Sequence, residues 1–76
     1  MNAMKLGKII KEARIAKKMT QSEVVGDFIT RNMLSQIESG SAMPSVKTLE
    51  YLSNILGLPF HQLITQQKED DLSLLI

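Results

Sequence analysis

Arg31, Asn32, Ser35 and Gln36 lie close together in the stretch TRNMLSQIESG. At about 100° per residue these four share one side of a helix, while Met33, Leu34 and Ile37 share the other. A helix face that only meets water usually carries Glu and Lys; this one carries side chains with paired or forked hydrogen-bonding groups. A guanidinium can donate to two acceptors at once, as guanine offers them, and an Asn or Gln amide can match the donor and acceptor pair of adenine. Ser35 is small enough to let such a face approach closely. The chemistry is therefore recognition rather than bond making. No competing constellation exists. Ser35, Ser39 and Ser45 have no plausible histidine base and no nucleophile elbow. His61 is the single histidine and there is no cysteine, so no metal-ligand set can be assembled around it. The carboxylates are few and fall mostly on outward faces or near the C-terminus. These observations predict neither an enzyme nor a cofactor.

The elements that must carry this face follow from periodicity and caps. Leu6, Ile9, Ile10, Ala13 and Ala16 recur at helical spacing between lysines, predicting an amphipathic first helix over about residues 5–18. Met1, Asn2 and Ala3 ahead of it carry no structural weight. Thr20-Gln21-Ser22-Glu23 matches a capping box, so a second helix starts at Gln21 with Val24, Val25 and Phe28 turned inward. Gly26-Asp27 ends it early or loosens its last turn. Thr30 caps the third helix and Gly40 stops it. Ser45 caps a fourth through about Leu56, with Val46, Leu49, Leu52 and Leu56 inward, and Gly57 terminates it. Pro59 opens a short fifth helix whose Phe60, Leu63 and Ile64 face the core.

The chain has 76 residues, no cysteine, 43% hydrophobic and only 4% aromatic residues. That predicts one small helical domain, over 4–66, followed by a tail, 67–76. The absence of cysteine fits a reducing cytoplasm, and no apolar run is long enough to span a membrane. Net charge is +1, but Lys5, Lys8, Lys11, Arg14, Lys17 and Lys18 face only Glu12 at one end, while Glu69, Asp70 and Asp71 gather near the other. Charge separated in this way gives one end a positive field; a solvated lysine-rich helix is the plain alternative.

Two short helices joined by a tight turn, the second with a base-reading face, form a helix-turn-helix pattern. Residues 6–64 resemble the Xre/Cro-type, lambda-repressor-like domain of phage and bacterial regulators. The matching pieces are LGKIIKEAR, MTQSEV, LSQIESG, PSVKTLEYL and LGLPFHQLI, in family order. The resemblance implies an all-α, compact five-helix domain in which helices 2 and 3 make the helix-turn-helix and bind double-stranded DNA. It assigns Arg31, Asn32, Gln36 and neighbouring Ser35 to base edges. Gln21, Thr30, Ser41, Ser45 and Lys47 fall to phosphates, where contacts fix register without reading sequence. Arg14 and Glu38 match a structural salt bridge of the family.

The chain departs from the family pattern in two places. Val25 stands where a small Ala is usual, and the turn before the third helix is one residue shorter, with Gly26 its only glycine. A shortened turn resembles the subgroup in which this domain precedes a helical-repeat, peptide-sensing region. Ile15, Tyr51 and Ile55, with Leu72, Leu74 and Leu75 of the apolar ending, admit two readings: a homodimer interface, or a surface that the tail folds back to cover. The alternative to DNA recognition is a helical docking or dimerisation module of the antitoxin or bridging-factor type.

Overall fold

Thr20, Thr30 and Ser45 each place a side-chain oxygen on a backbone amide three residues ahead, and each begins a helix. The computed structural model describes residues 2–63. Its order is α1 (Ala3–Ala16), α2 (Gln21–Val25), α3 (Arg31–Ser39) and α4 (Val46–Leu56). A last helical segment, α5 (60–63), runs to the edge of the described residues, among which there is no strand. Thr20 accepts from Glu23 N and Glu23 returns its carboxylate to Thr20 N, closing the capping box. Thr30 accepts from Met33 N and Ser45 from Thr48 N. Each cap satisfies an amide that the helix itself leaves orphaned.

The first helix starts earlier than its apolar stripe indicates. Asn2 caps it through a 2.8 Å bond from Lys5 N, so Asn2 and Ala3 are structural. It also stops at Ala16, which is exposed, rather than at residue 18. Lys18 takes the left-handed conformation (φ 58°) and turns the chain toward α2.

The core is one cluster: Leu6 and Ile10 of α1, Val24 and Val25 of α2, Leu34 and Ile37 of α3, and Leu49, Leu52 and Leu56 of α4, with Leu63 beyond. Helix α1 packs on α3 and α4, and α2 packs on the same two. Besides Ala16, three residues expected inside are not. Val46 is 61% exposed and Phe28 50%, and Met33 is exposed as well. Val46 is the first residue of α4, and Met33 flanks the polar face of α3 rather than its buried stripe. Phe28 lies in the turn after α2 has ended, so helical phase no longer sets its direction. Ile64 lies outside the described residues.

Candidate nucleic-acid interface

Helix α3 buries Leu34, Ile37 and Glu38 and turns its other side out. Arg31, Asn32, Ser35 and Gln36 are all exposed, and none of their side chains has a hydrogen bond or ion pair among the described residues. Their donors and acceptors are therefore available to an external partner. The structure thus brings these four onto one open face.

The C-terminal end of α3 is fixed from within. There, Glu38 is sunk into the protein with its side chain 4% exposed, facing Arg14 at 14%. Arg14 Nε donates to Glu38 Oε2 at 2.7 Å and a second guanidinium nitrogen to Oε1 at 3.1 Å. The remaining nitrogen donates to the Met19 carbonyl at 3.0 Å. This forked geometry is the strong form of the pair. The hydrogen bond that Arg14 donates to Glu38 holds its guanidinium above its ordinary pKa, against burial, which opposes it. The charge of Arg14 is thus used internally and contributes little to an outward positive face.

Gly7, which periodicity alone does not single out, lets α1 and α3 meet. A Cβ there would press into the Ile37 carbonyl oxygen and lie 2.8 Å from the Glu38 oxygen. A glycine inside an amphipathic stripe is the signal that could have found it. At Gly40 the backbone is left-handed (φ 83°), and the following loop folds back, with Ser41 N and Ala42 N both donating to the Gln36 carbonyl.

The residues expected on phosphate are partly engaged already. Gln21 Nε2 donates to Glu38 Oε1 at 3.1 Å, so one of its amide hydrogens points inward instead of at an anion. Thr30 accepts from Met33 N, which leaves its own hydroxyl hydrogen to give. Ser45 Oγ donates to Thr48 Oγ1, and Ser41 Oγ sits 3.0 Å from Ser39 Oγ. Lys47 is exposed beside a shallow hollow it shares with Phe28, Glu50, Tyr51 and Asn54. At the starts of α3 and α4 the first backbone amides have no helical partner, and these ends favour anions.

Of the residues considered for a second apolar surface, Ile15 is exposed and Ile55 borders on it. Tyr51 is engaged within the chain: its ring stacks on Phe28, centroids 4.4 Å apart and planes within 9°, and its hydroxyl donates to the Val24 carbonyl at 2.6 Å. Leu72, Leu74 and Leu75 lie outside the described residues. Among the described residues no helix is long and apolar enough to cross a membrane.

A family model described as helix-turn-helix matches residues 10–63. The chain is also similar to the ImmF control region 10 kDa protein of Bacillus phage phi105, at 34% identity over 64 residues, covering 83% of this chain and 71% of that protein. No solved structure matches it significantly.

Proposed function

The chain belongs to the helix-turn-helix family, and on that premise we propose that it is a transcription regulator that binds double-stranded DNA sequence-specifically through α3. The observation that carries this reading is the open face of Arg31, Asn32, Ser35 and Gln36, unpaired on a helix whose opposite side is locked into the core. Helices of this size fit the major groove, where each base pair shows a distinct donor and acceptor pattern. Arg31, Asn32 and Gln36 read base edges, and Ser35 allows close approach. Thr30, Ser41, Ser45, Lys47 and the free amides of α3 and α4 grip the flanking phosphates, with Gln21 as a further contact through its remaining amide hydrogen. Similarity to a protein named for a phage control region supports regulation as the setting. Two copies on two-fold related half-sites about one helical turn apart suit a reader with one short helix per subunit.

Selection of bound duplexes from a random DNA pool tests this. Enrichment of a defined site, with affinity falling as salt rises, is the expected result. A pool that stays random, or negligible DNA affinity at every salt concentration, would sink it and favour the docking-module alternative.

A further inference from the structure

Helix α2 has only five residues, too few to hold a direction by itself. The turn after it contributes little of its own. Gly26 N donates to Ser22 O and Phe28 N to Val25 O, and the chain then enters the Thr30 cap. Something else must fix where α3 begins. The C-terminal end of α3 is held by Arg14 and by the close approach at Gly7. The end of α2 and the turn that leads to the N-terminal end of α3 are held from α4. Tyr51 Oη donates to the Val24 carbonyl, an acceptor at the end of α2 where no further helical turn follows to pair with it. A Cβ on Gly26 would lie 3.4 Å from that same hydroxyl, so the turn sits directly on it. The Tyr51 ring lies parallel to Phe28, two residues before Thr30, and this contact accounts for an aromatic side chain left half exposed. Lys47 lies one helical turn from Tyr51 along α4 and lines the same hollow as the stack.

We propose that Tyr51 is a positioning residue for DNA reading: by its stack on Phe28 and its bond to Val24, it fixes the α2–α3 turn on α4. It thereby sets the placement of the base-reading face relative to the phosphate-gripping start of α4. This rests on the DNA-binding reading above. Removing the strut leaves all base-contacting and phosphate-contacting side chains in the chain but loosens their relative register. Contact with any DNA survives and discrimination between sequences does not, because phosphate contacts tolerate displacement and paired base contacts depend on geometry.

The test uses Tyr51→Phe, which deletes only the hydroxyl, Phe28→Leu, which deletes the stack, and Phe28→Tyr, which keeps it. Each is titrated with the selected duplex and with a random-sequence duplex of equal length, and amide hydrogen exchange is followed at residues 26–30. Expected are helical, folded variants in which Tyr51→Phe and Phe28→Leu lose about tenfold of their preference for the selected duplex, while random-duplex affinity stays within about twofold. Exchange at 26–30 quickens in both relative to core amides of α1 and α4, and Phe28→Tyr behaves as the parent chain. A lowered melting midpoint with unchanged preference and unchanged exchange at 26–30 would overturn the proposal, leaving Tyr51 as packing. Should the parent chain prefer no duplex, the DNA reading fails by itself, and the exchange rates at 26–30 still decide whether Tyr51 fixes the turn.

Discussion

Arg14 directs each of its guanidinium nitrogens into the protein, two to Glu38 and one to the Met19 carbonyl, although it stands among lysines in the sequence. An exposed ion pair contributes little; Lys8 and Glu12, 4.0 Å apart and open to solvent, are of that kind. Glu38 is different, because deleting Arg14 would leave a buried carboxylate with only the Gln21 amide. Breaking a fully buried pair costs about 3–5 kcal/mol, and the residual exposure of Arg14 argues for the lower end. Arg14→Ala should therefore lower the melting midpoint by roughly 10–20 °C in a domain of this size. A midpoint matching the parent chain in thermal unfolding would remove the pair from the account of stability. The raised Arg14 pKa gives a contribution that is complete below the ordinary guanidinium value and lost only as pH rises above it, so the arginine stays charged at any ordinary working pH. Asn32 and Gln36 are the opposite case, since nothing in the fold uses their side chains. Asn32→Ala and Gln36→Ala should leave the midpoint nearly unchanged. Each should cost about 1–3 kcal/mol against the selected duplex, and much less against random DNA. Equal losses on both duplexes, measured by titration, would show that these amides do not read bases.

Caps and glycines decide where each element begins and how near its neighbour it lies. Thr20, Thr30 and Ser45 were legible because an N-cap is a local device: the bond closes within one turn, so a short stretch of sequence contains both partners. Asn2 does the same for α1, and the sequence signal was present but outweighed by the apolar stripe that starts at Leu6. Gly7 is not local in this sense. Its role depends on the Ile37 and Glu38 carbonyls of another helix. In an open helix, Gly→Ala gains about 0.5–1 kcal/mol of stability. At Gly7 the added methyl meets backbone atoms that cannot rotate away, and overpacking of that kind costs about 1–3 kcal/mol. Gly7→Ala should therefore be net destabilising, against helix propensity. A raised unfolding midpoint would mean that α1 and α3 can move apart without penalty.

Across the whole molecule, net charge is too small to draw the protein to DNA by itself, and the arrangement of charge must do it. With Arg14 neutralised internally, the proposed DNA binding would draw its attraction from the exposed lysines and the free amide ends of α3 and α4. Each phosphate neutralised contributes about −0.9 to the slope of log affinity against log salt. Lys47→Ala should flatten that slope by about one and weaken selected and random duplexes alike. An unchanged slope in a salt titration would take Lys47 out of the phosphate grip. The helix-turn-helix match over residues 10–63 covers all the residues to which this proposed division assigns base or phosphate contact.

The sequence by itself determined the helices, the caps of α2, α3 and α4, the core stripe of Leu34 and Ile37, and the polar face of α3, because periodicity and capping are short-range properties. The tertiary structure alone decided that Phe28, Met33 and Val46 reach solvent, that Gln21 turns inward to Glu38, that Gly7 lets α1 meet the end of α3, and that Tyr51 bonds to the end of α2 and stacks on Phe28. The roles of Gln21, Gly7 and Tyr51 each depend on an atom of another helix. The one-dimensional pattern says which way a residue points on its own helix, whereas what stands opposite is fixed only once the helices have packed.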